Sequence, residues 1–372
     1  MKSHGNITRR EFLTSLGAFG VVIGSRDVGF GLARRKSRFE MLVVGDSLIW
    51  GQGLREEQKF YHLTRQWIAD ELMGSGGEVN LNVKAHSGST IKLDPDENAA
   101  LKRGNLNGDQ AFHPEVNVSF PTIDKQIESA IADYPEPGDV DLIMISGGIP
   151  DVGVAKIINP LESNKKLRER IDLYCRGHMT EVLSDAAISF PNAAIAIIGY
   201  YPIITRHTPM KRIVNDILEL YNVPGWAKPL VNNPLKRNLW RLWKGKMIKR
   251  SEIWHAESTK AFQLVVAELN RSGGRQRAVF VPSPIEEKTA FGTADSLLFT
   301  VARRGRPADP EGTVRVAECR PALSDLRKKT DLKYSTRFCE LASVGHPNID
   351  GSKAYAESIK IALKPLLNGA IK

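Results

Sequence analysis

Cysteine is scarce: three of the 372 residues, at 175, 319 and 339, and none in a C-x-x-C pair. That excludes a disulfide-stapled scaffold and the usual structural zinc site. One disulfide is the most the chain can form, and Cys319–Cys339, flanking one loop-like segment, are the favoured pair. Past the N-terminal stretch no apolar run approaches the ~20 residues needed to cross a bilayer. Internal repeats, low-complexity tracts and nucleic-acid-binding motifs are also missing, so the net charge of +10 does not by itself signal DNA or RNA. What is present is a 42% hydrophobic chain, enough to bury one large core or two modest ones.

Five short apolar segments stand out: "FEMLVVG" (39–45), "LNVKAHS" (81–87), "VDLIMISGG" (140–148), "AAIAIIGYY" (193–201) and "RAVFVPS" (277–283). Near-continuous hydrophobic runs of this kind suit strands buried on both faces of a parallel sheet. Helical periodicity fills the gaps at 56–73, 121–134, 164–187, 252–271 and 351–367. The alternation predicts an α/β fold, a three-layer α/β/α, flavodoxin-like domain with a mostly parallel sheet of about five strands. In such sheets ligands bind outside the carboxyl ends of the strands, where Ser47, Gly88 and Gly148 fall. Residues 203–250 and 284–342, rich in Pro, Gly and charge, are expected to decorate one rim.

The N-terminus carries a separate message. "TRREFLTSLGAFGVVIG" places Arg9-Arg10 before Phe12-Leu13 and a short Gly- and Ala-rich apolar stretch, with "GLA" at 31–33 as a small-x-small site. It is similar to a twin-arginine export signal, so residues 1–33 are expected to direct export to the periplasm or beyond, and 34–372 to form the folded domain. Removing 1–33 takes away four basic residues (Lys2, Arg9, Arg10, Arg26) and two acids (Glu11, Asp27), which leaves the remainder basic.

Ser47 follows a strand-like run in "LVVGDSLIWGQGL" (42–54), and His346 precedes the last helix in "SVGHPNIDGSKAYAESI" (343–359). Between them lie "AHSGST" (85–90) and "SGGIPDVG" (146–153). These blocks, Gly45-Asp46-Ser47-Leu48, Gly88, Gly148-Ile149-Pro150-Asp151 and His346-Pro347-Asn348, resemble in order and spacing the SGNH/GDSL hydrolase superfamily over essentially the whole mature chain. The resemblance implies that Ser47 is a nucleophile, His346 its base, and the N–H groups of Ser47 and Gly88 oxyanion donors. The residue types suit the chemistry: a serine hydroxyl is a poor nucleophile until an imidazole takes its proton. A helix starting just after Ser47 would point N–H groups at developing negative charge.

Two positions depart from the family pattern. The oxyanion asparagine falls at Pro150, which has no side-chain donor, and the acid three residues before the histidine falls at Ser343. A backbone carbonyl could orient His346, as in a Ser-His dyad, and Asp151 and Asp350 are the alternative acids. Asn232, Asn233 and Asn238 are the rim asparagines that could replace the missing donor. Asp46, Gly148 and Asp151 are expected around the pocket, with Asp46 a turn stabiliser rather than the missing acid. His62, His86 and His178 read as structural.

"WAKPLVNNPLKRNLWRLWKGKMIKR" (226–250) carries eight Lys/Arg, no acids and Trp226, Trp240 and Trp243. It reads either as an insertion helix packed on the core or as an interfacial helix docking on anionic lipid or polysaccharide. Together the residues and the resemblance point to an exported serine esterase acting on an O-acetyl carbohydrate or a lipid or short acyl ester. No metal or organic cofactor and no nucleic acid is implied. The alternatives are a weakened or non-catalytic glycan- or lipid-binding relative, or an O-acyltransferase using the same intermediate.

Overall fold

A computed structural model describes residues 37–367 except 75–76, 111, 214–215, 217–233 and 302–308. Five parallel strands form one sheet: β1 (Arg38–Gly45), β2 (Glu78–Val83), β3 (Val140–Ser146), β4 (Ala194–Ile198) and β5 (Ala278–Val281). Their order is β2-β1-β3-β4-β5, the doubly wound order of flavodoxin-like sheets. The switch point lies where β1 and β3 diverge. All five residues of β4 are buried, as its unbroken Ala-Ile run requires of a strand covered on both faces. β2 starts earlier than its apolar run suggests, at Glu78 rather than Leu81. It is an edge strand whose Asn80 and Asn82 alternate with Val79 and Leu81.

The helices used below are α1 (Ser47–Trp50), α2 (Phe60–Trp67), α3 (Pro95–Arg103), α4 (Ile123–Ile131), α5 (Ile149–Val152), α6 (Val154–Ile157), α7 (Asn164–Ile171), α8 (Met179–Ser189), α9 (Pro234–Ser272), α10 (Gly312–Lys329), α11 (Thr336–Glu340) and α12 (Ile349–Leu367). α2 and α12 pack together, and α12 also touches β4 and β5. α4 meets α8, and α9 meets α7, α8 and β5. α4 buries Ile123, Gln126, Ile127 and Ala130, one face at helical spacing. A wider π turn over Asp172–His178 joins α7 to α8, so the periodic stretch at 164–187 is two helices.

Two expected boundaries shift. The periodicity at 252–271 is the second half of α9, which begins at Pro234 and takes in most of the basic aromatic segment. Trp240, Met247, Arg250 and Trp254 turn inward, while Leu239 and Leu242 stay exposed. Arg250 donates to the carbonyls of Lys156, Ile157 and Glu162 and pairs with the Glu162 carboxylate, which fastens the helix to the body. Asn232, Asn233 and Trp226 lie outside the described residues.

The second shift is α10, an 18-residue helix inside the expected rim segment 284–342. It passes through Pro321, and Arg315, Cys319, Leu323 and Leu326 are buried along one side. A satellite core gathers there: Cys319, Leu323, Leu326 and Cys339 against Leu101, Val116, Val118 and Phe120. Cys319 and Cys339 form the disulfide, with Cα atoms 6.0 Å apart, and Cys175 is free and buried. No described helix is long and apolar enough to cross a membrane.

Candidate active site

β1 ends at Gly45, whose φ of +139° only glycine adopts without strain; a Cβ there would stand 2.4 Å from the Ser146 carbonyl oxygen on β3. The chain then turns into α1 with Asp46 as N-cap. The Asp46 carboxylate accepts from Leu48 N–H at 3.1 Å, from the Ser146 hydroxyl at 2.6 Å and from the Tyr200 hydroxyl. Burial pushes the Asp46 pKa up, and these three bonds work against that shift. Asp46 is therefore a fully buried fastener of the turn between β1, β3 and the end of β4. α1 is a single turn, so the expected helix contributes the separate N–H of Ser47, its first residue, rather than a long dipole.

Ser47 and His346, 299 residues apart, meet at this edge: His346 Nε2 lies 2.7 Å from Ser47 Oγ. The loop bearing His346 is held from several directions. Gly345 N–H donates to the Phe299 carbonyl and Phe299 N–H to the His346 carbonyl, both at 2.8 Å. The Tyr201 hydroxyl donates to the Gly345 carbonyl at 2.6 Å. Asn348 Oδ1 accepts from Gly351 N–H at 2.9 Å, which starts α12.

His346 Nδ1 is buried without a hydrogen-bond partner among the described residues, and the backbone carbonyls of Ala342 and Ser343 favour its protonated form. Desolvation by the surrounding protein, with Arg315 adding to it, outweighs those carbonyls and Asp309 and lowers the His346 pKa to about 4. The imidazole is therefore neutral near pH 7, the state a general base needs. Neither alternative acid reaches it. Asp151 Oδ1 accepts from Ile91 N–H at 3.0 Å, and Asp350 sits on the surface beside Lys353.

Behind Ser343 lies a group that sequence spacing does not reveal. The Ser343 hydroxyl donates to Asp309 Oδ2 at 2.6 Å, and Arg315 grips both Asp309 oxygens at 3.0 and 2.7 Å. Arg315 also donates to Glu115 Oε2 at 2.8 Å and to the Glu340 carbonyl at 3.1 Å. Glu115 in turn accepts from Trp50 Nε1 at 2.8 Å, Gln52 Nε2 at 3.0 Å and Gly53 N–H at 3.1 Å. This buried Glu115–Arg315–Asp309 cluster thus ties the turn after Ser47 to the loop before His346.

A cavity of about 760 Å³ opens beside the pair, lined by Ser47, Gly88, Asn117, Pro150, Asp151 and His346 among others. Most of the rest of its wall is apolar or aromatic, including Leu48, Val118, Ile149, Tyr200, Phe291 and Phe338. Gly88 has φ +81°, and a Cβ there would sit 2.7 Å from the Val118 carbonyl oxygen. No hydrogen bond takes up the Gly88 N–H among the described residues.

Of the three pocket residues expected, Asp151 lines the cavity, its pKa raised to about 7 by burial. Asp46 and Gly148 do not: Asp46 points into the protein, and Gly148 backs onto the Cys175 sulfur, 2.9 Å from where a Cβ would stand. Asn238 is exposed on α9, and none of the described residues of 234–250 reaches the cavity. His86 is buried against the Ser87 carbonyl, which fits a structural role, whereas His178 does line the cavity.

Asn117 is the side chain the sequence reading missed. Its neighbours Val116, Val118, Ser119 and Phe120 are all buried, and Val118 and Ser119 line the cavity with it, so no alternation in "VNVSF" marks Asn117 out.

No protein family model matches the chain. No curated protein matches it by sequence either. Some solved structures are similar to it. A phospholipase A1 from Streptomyces albidoflavus is 12% identical with a TM-score of 0.42, covering 87% of this chain and 99% of that one. An extracellular lipase from Streptomyces rimosus is 14% identical with a TM-score of 0.42, over 87% and 99% of the two chains. A carbohydrate acetylesterase from Sinorhizobium meliloti is 11% identical with a TM-score of 0.39, over 88% and 99%. At that distance the likeness says nothing about chemistry, which rests on the residues themselves.

Proposed function

We propose that the chain is an exported serine hydrolase of the SGNH type that cleaves a carboxylic ester through a Ser47 acyl-enzyme. The observation that carries this reading is the 2.7 Å approach of His346 Nε2 to Ser47 Oγ at the wall of a substrate-sized cavity. Ser47 Oγ attacks the ester carbonyl carbon while His346 Nε2 takes its proton. The tetrahedral oxyanion is met by the N–H groups of Ser47 and Gly88. Collapse breaks the bond to the alcohol, which leaves with the proton held on His346. Water then attacks the acyl carbon with His346 again as base, and the carboxylic acid is released. The apolar wall favours an ester with an apolar acyl or alcohol part. The Cys319–Cys339 bond favours an oxidising compartment and so supports export.

Hydrolysis of a p-nitrophenyl ester series, from acetyl to longer acyl chains, tests this. Wild type should turn over, and Ser47→Ala and His346→Ala should each lose on the order of 10⁴-fold in kcat or more. Three proteins indistinguishable from the uncatalysed rate would sink the esterase reading. A second reading draws on the unpaired His346 Nδ1. It favours a weak enzyme or an SGNH-fold binder of glycan or lipid, or acyl transfer to a sugar in place of water.

A further inference from the structure

Acyl transfer at Ser47 places a full negative charge on the former carbonyl oxygen, and two backbone N–H groups leave room for a third donor. Pro150, on the cavity wall within α5, has no side-chain donor to give. Asn117 is the only carboxamide among the described residues lining the cavity. Its side chain lies against the second oxyanion donor: a Cβ on Gly88 would be 3.1 Å from Asn117 Cγ.

The carboxamide is held rather than free to swing. Asn117 Nδ2 donates one hydrogen to Ser87 Oγ at 3.0 Å, the residue just before Gly88. A carboxamide nitrogen has two donor hydrogens, and no second acceptor for this one appears among the described residues. Its backbone is fixed on both sides. Asn117 N–H points at the Cys339 sulfur at 3.3 Å, and Val118 N–H donates to the Ser87 carbonyl at 3.2 Å. Ser87 N–H donates to the Pro114 carbonyl and Thr90 N–H to the Ser119 carbonyl, both at 3.0 Å, so the two segments run locked together.

We propose that Asn117 is a catalytic residue of the Ser47 site, its uncommitted Nδ2–H donating to the oxyanion beside the N–H groups of Ser47 and Gly88. The inference rests on the ester-hydrolase reading. It assigns the missing side-chain donor to the segment packed against Gly88 instead of to α5 or the rim. Donors fixed before the reaction need no reorganisation when the charge forms, which makes a rigidly held amide effective there.

The test compares the full-length wild type with Asn117→Ala and Asn117→Asp. It measures p-nitrophenyl ester kinetics, the affinity of an alkylboronic acid that forms a tetrahedral Ser47 adduct, and thermal unfolding. Asn117→Ala should lower kcat about 10²–10³-fold with KM within about threefold of wild type. Boronate affinity should weaken in parallel. Asn117→Asp keeps the shape and puts an anion where the oxyanion forms, so it should lose at least as much and still report if the alanine variant fails to fold. A kcat within about threefold of wild type in the folded variants, or equal losses in kcat and ground-state binding, overturns the assignment. A wild type with no turnover overturns the hydrolase reading itself, and this inference with it.

Discussion

The sheet and the cap that closes over its edge are held together in different ways. Around β1, β3 and β4 the interior is continuous aliphatic packing, with Leu42, Val43, Ile143, Met144, Ile195 and Ile197 all fully buried. Such a core spreads its stability over many contacts, each replaceable at modest cost. The cap, built from 101–120 with α10 and α11, has a small apolar cluster and depends on a few directional links. These are one disulfide, the Glu115–Arg315–Asp309 cluster and the Ser87–Asn117 seam. Ser47 comes from the sheet, whereas residues of the cap brace the turn after it and the Ser87–Gly88 segment. The sheet therefore supplies stability and the cap supplies alignment.

Arg315 should break that contrast most sharply. Arg315→Met leaves two buried carboxylates without their counter-charge, at an expected cost of about 3–5 kcal/mol. Ile143→Val in the sheet should cost about 1 kcal/mol and leave kcat unchanged. Denaturant unfolding with parallel kinetics reads both; equal stability losses, or an Arg315 variant with wild-type kcat, would erase the distinction.

Next is the disulfide, which closes a loop with a sequence separation of 20. Replacing both Cys319 and Cys339 by Ser should cost about 3 kcal/mol on loop-closure grounds. Because Cys339 also meets Asn117 N–H, ester turnover should fall even where the protein is still folded. Unchanged kcat in the folded double variant would detach the disulfide from the site.

The smallest effect is a displacement along the pH axis. His346 is held neutral down to about pH 4, so kcat/KM should stay flat from neutrality to about pH 5 and fall only as the imidazole is protonated near 4. An ordinary histidine would lose activity from ~6.5 downward. Arg315 is one cause of the lowered value, so Arg315→Met should move the acidic limb to higher pH. A wild-type limb near 6.5 would mean that the base is not this buried imidazole.

The same contrast governs what the sequence made legible. Strands of the sheet announce themselves as apolar runs, whereas Ser47, Gly88 and His346 could be singled out only through the resemblance carried by the sequence blocks around them. The cap gives weaker signals. Pro321 and dense charge make 312–329 read as a loop, although Arg315, Cys319, Leu323 and Leu326 already trace one helical face. Glu115 and Arg315 are 200 residues apart, and a buried ion pair has no local pattern to betray it. No carboxylate hydrogen-bonds His346 Nδ1 among the described residues; Asp309 accepts instead from the hydroxyl of Ser343, a contact that only the folded chain reveals.

The most direct test of the central claim is covalent labelling of the full chain with a fluorophosphonate, located by peptide mass mapping. The account predicts one adduct, on Ser47, formed by the wild type and slowed to background in His346→Ala. No adduct on the folded wild type, or labelling of Ser47 at the same rate without His346, would contradict it.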